Sequence, residues 1–177
     1  MRLAVDLVIL PDPALTAWAI AANRTLTDRR LPLGDGGGLP HVSLSMGTIE
    51  DHEIDRVADA LDALDAPELV PTAIDTASGV AVLRIERTPL LVALHEAVMG
   101  IELSREVDAT MLVGPPDERA VSWIRTYPEK AAFERFDPHV TLGVGVPDAA
   151  PFAPRYPPGR LALCHLGPFC TCRRVLR

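Results

Sequence analysis

The chain has 177 residues, 48% of them apolar and 23% charged, which suffices for one packed domain, is too little for two large ones, and excludes the disordered class. The net charge of −7, from 17 Lys+Arg against 24 Asp+Glu, argues against a protein that grips a long nucleic-acid backbone by counterion release. The apolar stretch from Leu3 to Leu10 is interrupted by Asp6 and closed by Pro11, far short of a membrane span or a signal-peptide core, so a cytoplasmic protein without membrane association is expected.

Arg2 to Leu10 reads as a buried strand. Pro11-Asp12-Pro13 then opens a helix with Asp12 as N-cap and Pro13 at its first position, running to about Arg29. Gly34-Asp35-Gly36-Gly37-Gly38 reads as a plain loop, because neither a preceding strand nor a G-K-[ST] ending supports a phosphate cradle. His41 to Thr48 alternates as a strand, and Glu50 to Ala63 follows as an acidic amphipathic helix. Leu69 to Ala77 and Val80 to Arg87 form a strand pair around Ser78-Gly79. Pro89 to about Arg105 is helical, and Glu118 to about Phe133 is a second helix with a break before Pro128. His139 to Val146 is a strand, and Leu161 to Leu166 with Cys170 to Leu176 forms a last hairpin around Gly167-Pro168. Strands and helices mix without steady βαβ alternation, which favours an α+β fold in a single domain over residues 1–177.

The charge is unevenly placed. Nine acidic residues and one basic residue lie between Glu50 and Asp75, whereas Phe152 to Arg177 holds five arginines and no acid. Arginine's planar fork suits phosphate oxygens, but a solvated strand edge accounts for the same pattern equally well. Cys164, Cys170 and Cys172 show no C-x-x-C spacing, so neither a disulfide framework nor a zinc site is expected. Cys170 and Cys172 are placed on one strand face as small buried hydrophobes.

The informative feature is a pentapeptide that occurs twice. Pro40-His41-Val42-Ser43-Leu44 and Pro138-His139-Val140-Thr141-Leu142 share the pattern P-H-V-[ST]-L, each at the start of a predicted strand. Side chains alternate along a strand, so His41 and Ser43 share one face while Val42 and Leu44 anchor the other, and His139 and Thr141 repeat the arrangement. Two such strands brought together offer two imidazoles and two hydroxyls to one cleft. Histidine titrates near neutrality, so one ring can act as base while the other acts as acid. Phosphodiester cleavage needs that pair, with Ser43 and Thr141 donating hydrogen bonds to the non-bridging oxygens. The scheme requires no metal and no cofactor.

These paired motifs resemble the signature of the 2H phosphoesterase superfamily, which includes the bacterial 2'-5' RNA ligase/cyclic phosphodiesterase family, and the order of strands and helices extends the resemblance over most of the chain. The resemblance implies a bilobed α+β fold, with two pseudo-symmetric lobes whose antiparallel sheets, flanked by helices, face a central cleft. It implies His41, Ser43, His139 and Thr141 as the catalytic residues, without saying which histidine is acid and which base. The implied activity is hydrolysis of a 2',3'-cyclic phosphate or 2'-5' phosphodiester on a nucleotide or RNA end by a monomer. RNA-end ligation by the same site, and a non-catalytic nucleotide sensor, are the alternatives. Arg125 and Arg135 are candidates to steer an anionic substrate, and Tyr127 and Tyr156 to stack on a base. His165 is a weaker candidate for the cleft wall, while His95 reads as structural and His52 as a solvated surface residue.

Overall fold

The computed structural model describes residues 1–76 and 78–177. Nine residues of alternating register make β1 (Arg2–Leu10), which is central and buried on both faces. It pairs antiparallel with β2 (Val42–Glu50) on one side and β6 (Arg160–Leu166) on the other, and β7 (Cys172–Val175) completes a four-stranded sheet in the order β2-β1-β6-β7. A second antiparallel sheet of three strands runs β3 (Pro71–Asp75), β4 (Val80–Ile85) and β5 (His139–Val144), so that each pentapeptide motif lies on an edge strand of a different sheet. The fold is α+β with two antiparallel sheets, as expected from the element order. Ala77, the predicted end of the third strand, lies outside the described residues.

Among the described residues, five α-helices flank the sheets. The first, α1 (Pro13–Thr25), starts where the Asp12 carboxylate accepts the Ala14 and Leu15 N–H groups, with Pro13 at the first position. It ends four residues before the expected Arg29, because Leu26 is buried and extended and Asp28 bridges to Val144 of β5. The acidic segment after β2 forms a 3-10 turn (Asp51–Glu53) and then α2 (Ile54–Asp62). Thr88 caps α3 (Pro89–Met99), which stops at Gly100 rather than near Arg105. The expected break before Pro128 separates α4 (Glu118–Arg125) from α5 (Tyr127–Ala131). The last turn, Gly167 to Thr171, contains Cys170, which therefore does not share a strand face with Cys172. Among the described residues no helix is long and apolar enough to cross a membrane.

Packing joins the two sheets. One core cluster contains Leu7 and Ile9 of β1, Val42 and Leu44 of β2, Leu83 of β4 and Val140 and Leu142 of β5. A second cluster covers the other face of the four-stranded sheet with α4 and α5, through Val121, Ile124 and Tyr127. That covered face is where Asp6, in the middle of β1, is completely buried.

Candidate active site

Both motifs line one pocket of about 570 Å³: His41 and Ser43 from β2, and His139 and Thr141 from β5. The alternation read from sequence holds, since Val42, Leu44, Val140 and Leu142 are fully buried in the core on the opposite side. The local geometry of the two motifs is the same. His41 Nδ1 donates to the Leu39 carbonyl at 2.7 Å, and His139 Nδ1 donates to the Asp137 carbonyl at 2.7 Å. A carbonyl only accepts, so Nδ1 carries the proton in each ring, and Nε2 of a neutral ring holds a lone pair. The intervening prolines, Pro40 and Pro138, are buried. Their fixed φ restricts the short chain between each acceptor carbonyl and its ring.

The strands repeat a second device. Register shifts place Leu7 opposite Ser45 and Val8 opposite Ser43, and likewise Ala81 opposite Gly143 and Val82 opposite Thr141. Leu44 and Leu142 are therefore the extra residues of two β-bulges, each directly after the hydroxyl residue of its motif. A bulge takes the extra residue out of the ladder, and a buried carbonyl left without a donor is costly. The Leu44 carbonyl accepts from His95 Nδ1 of α3 at 2.9 Å, and the Leu142 carbonyl accepts from Asn23 Nδ2 of α1 at 2.7 Å. Each motif strand is thus held by a helix that follows a strand of the other sheet. Gly143, at φ +134°, lets α1 approach this closely: a Cβ there would lie 2.8 Å from Asn23 Nδ2 and 2.5 Å from Leu26 Cδ1.

His95 is a neutral structural ring, as expected. Its Nε2 accepts the Phe133 N–H at 2.9 Å and the ring stacks on Phe136 at 3.9 Å, just before the second motif. Burial, partly offset by the hydrogen bond to Leu44, lowers its pKa to about 4.

Asp6 and Arg84, which support the two motifs, are residues that the sequence reading missed. The Asp6 carboxyl lies behind the first motif, with Oδ2 at 2.6 Å from Ser43 Oγ and 3.7 Å from His41 Nε2, while Oδ1 is buried without a partner. Burial pushes this carboxyl well above the usual carboxylate range, against the opposing pull of the Ser43 hydrogen bond. Its sequence signal was a single carboxylate inside an apolar strand. Arg84, paired with His139 across β4 and β5, holds the Asp137 carboxylate at 2.5–2.6 Å and Asp75 at 2.6 Å. It thereby anchors the residue whose carbonyl orients His139.

His41 is only 13% exposed. Burial first, and the charge of His139 in addition, lower its pKa to about 4, against the raising effect of the Leu39 hydrogen bond. Asp6, His41 and Cys172 bring one oxygen, one nitrogen and one sulfur atom within 4.8 Å of one another. Burial holds both the Asp6 carboxyl and the Cys172 thiol toward their protonated forms, so a cation binding there would have to displace both protons.

The remaining candidates divide. Arg135 and Tyr127 line the pocket, although Tyr127 is almost completely buried. Arg125 lies elsewhere, donating to the Val107 carbonyl, and Tyr156 is buried away from the pocket with its hydroxyl accepting the Ala153 N–H. His165 bonds the Met111 carbonyl through Nε2 and is not part of the wall. His52 is exposed. Two of the C-terminal arginines spend their charge on the acidic segment: Arg177 pairs with Asp55 and Arg155 with Glu68. Cys164, Cys170 and Cys172 are free thiols. Comparison with protein-family models and with curated proteins returned no match.

Proposed function

We propose that the protein is a phosphodiesterase of the 2H type, a cytoplasmic monomer that opens a 2',3'-cyclic phosphate or 2'-5' phosphodiester on a nucleotide or RNA end. The observation that carries this reading is the convergence of two identically built histidine-hydroxyl pairs on one pocket. The matched bulges and the crossed helix supports favour two pseudo-symmetric lobes facing a central cleft.

The environment of each ring suggests its role. His41, buried and neutral, has its Nε2 lone pair free to take a proton from water, and an anionic phosphate bound beside it raises its basicity toward the working pH. As the water oxygen attacks phosphorus, the bond from phosphorus to the ribose oxygen breaks, and His139 supplies the proton that this oxygen takes up. Thr141 and Ser43 stabilise the charge gathering on the non-bridging oxygens. Ser43 serves only if its own proton is available. In the structure the Ser43 hydroxyl donates to Asp6 Oδ2 at 2.6 Å. Delivering that proton to the substrate therefore requires the bond to turn, with a protonated Asp6 carboxyl, favoured by burial, donating to Ser43 Oγ in its place.

The test is a panel of 2',3'-cyclic nucleotides and 2'-5' linked dinucleotides turned over by wild type, His41→Ala and His139→Ala. Each variant is expected to fold and to lose about a hundred- to ten-thousandfold in kcat, the usual worth of a positioned acid or base. Wild-type rates in both variants would remove the histidines from the mechanism.

A further inference from the structure

Away from the histidines, one wall of the same pocket is built from residues that packing does not explain. Trp123 is 39% exposed and Phe169 54% exposed, and both face the pocket. Trp123 stands one helical turn after Arg119 on α4, and Lys130 of α5 lies on the same lining. Phe169 has φ +59° and Cys170 φ +54°, a left-handed conformation that costs a bulky residue free energy and persists only where neighbours hold it.

The holding group is Asp117. Its Oδ2 accepts the Phe169 N–H at 2.7 Å, while Oδ1 caps α4 through the N–H groups of Arg119 and Ala120 at 2.9 and 3.2 Å. One carboxylate therefore locks the turn that displays Phe169 to the helix that displays Arg119 and Trp123. The acids of the wall are engaged, Asp117 in this way and Asp137 by Arg84, whereas among the described residues Arg119 and Lys130 form no ion pair. The wall offers two exposed aromatic rings and two cations without a direct ion-pair partner among the described residues, although Arg119 feels the charge of nearby Asp117.

We infer that this wall recognises the part of the substrate beyond the scissile phosphate, with a nucleobase against Trp123 and Phe169 and a second phosphate at Arg119 and Lys130. The inference rests on the phosphodiesterase reading of the histidines and narrows it to nucleotides carrying a phosphate besides the one cleaved. That phosphate is either a terminal 5'-phosphate or the linkage to a preceding nucleotide. The pocket volume lies within the range of sites for such ligands. Pre-ordering an exposed ring at the expense of backbone strain lowers the ordering cost at binding.

The chain has two tryptophans. Trp18 is engaged elsewhere, edge-on to Phe152 and bonded to the Ala150 carbonyl, so ligand-induced quenching of emission reports Trp123 and Trp123→Phe identifies it. Adenosine 3',5'-bisphosphate, adenosine 3'-monophosphate, a dinucleotide 3'-phosphate and ring-free glycerol phosphate are titrated against wild type, Trp123→Ala, Phe169→Ala and Arg119→Ala/Lys130→Ala. The bisphosphate or the dinucleotide is expected to bind at least tenfold more tightly than the monophosphate, and which of the two does so identifies the source of the second phosphate. Each aromatic deletion should weaken binding about tenfold or more. The double cation variant should erase the second-phosphate preference and retain the base preference.

In turnover, the aromatic variants should raise KM with kcat little changed, the mark of binding lost equally from ground and transition states. Absence of quenching, equal binding of glycerol phosphate, or unchanged KM in the aromatic variants during normal cleavage overturns the inference. Quenching with the expected preferences but no cleavage by wild type upholds the subsite and overturns the phosphodiesterase reading.

Discussion

Asp6 is a buried group that reaches the candidate site through two contacts, with Oδ2 at 2.6 Å from Ser43 Oγ and 3.7 Å from His41 Nε2. Ser43 Oγ donates to Oδ2, and Oδ1 has no partner. An ionised carboxyl would therefore hold the serine proton and bury an unpaired charged oxygen, whereas on the proposed mechanism a protonated carboxyl donates to Ser43 Oγ and frees that proton. Asp6→Asn keeps a donor toward Ser43 Oγ and is expected to retain activity. It should also raise the melting temperature at pH 8: a folded carboxyl pKa above the unfolded one costs stability once the unfolded chain ionises, and the amide removes that cost. Asp6→Ala leaves Ser43 unheld and should lower kcat roughly five- to tenfold, the worth of about one hydrogen bond. Steady-state kinetics of the two variants decide the role; equal losses in both would make Asp6 a packing residue only. The paired pentapeptides were legible because strand alternation is local, but nothing near Asp6 in the chain names Ser43, 37 residues away.

The helices and strands show the same division. Helix starts at Asp12 and Thr88 and the break at Pro128 follow from caps and proline geometry within a few residues. The two bulges were not legible, because a bulge is a relation between strands. Their carbonyls are satisfied across 51 residues by His95 and 119 by Asn23.

These two supports differ in pH dependence. His95 has a folded pKa of about 4 against an ordinary value of 6.5. The unfolded chain therefore gains the proton first as pH falls, and the stability this ring contributes is lost between about pH 6.5 and 4. Urea unfolding should show the gap between wild type and His95→Asn narrowing over that window by about 1–2 kcal/mol, allowing for solvent screening. Asn23→Ala should cost about 1–3 kcal/mol at every pH in the window, the penalty of orphaned carbonyls. A gap for His95→Asn that stays constant with pH would show that the ring is not buried neutral.

Across the molecule, charge is arranged to leave the pocket available. C-terminal arginines pair with the acidic segment around α2, Arg84 ties down Asp75 and Asp137, and Asp117 is occupied by backbone donors. A chain of net charge −7 thus presents a pocket lined by Arg119, Lys130 and Arg135, cations enough, on the proposed function, for at most a few phosphates. Affinity for RNA ends should fall with salt on a log-log slope no steeper than about −2, at roughly 0.7 per phosphate neutralised on a single strand. Lengthening the RNA beyond two or three nucleotides should add no affinity. A slope that steepens with RNA length would mean that the protein tracks the backbone.

The α+β class, the helix starts and the four motif residues were set by interactions spanning a few residues: periodicity, capping, proline geometry and the duplicated pattern. The common pocket, the roles of Asp6 and Arg84, the crossed supports from His95 and Asn23, and the display of Trp123 and Phe169 were decided only when the two sheets packed into one core. Burial then determined which polar groups had to find partners. Those partners lie up to 119 residues apart, and sequence spacing carries no information about which distant donor will meet a given acceptor.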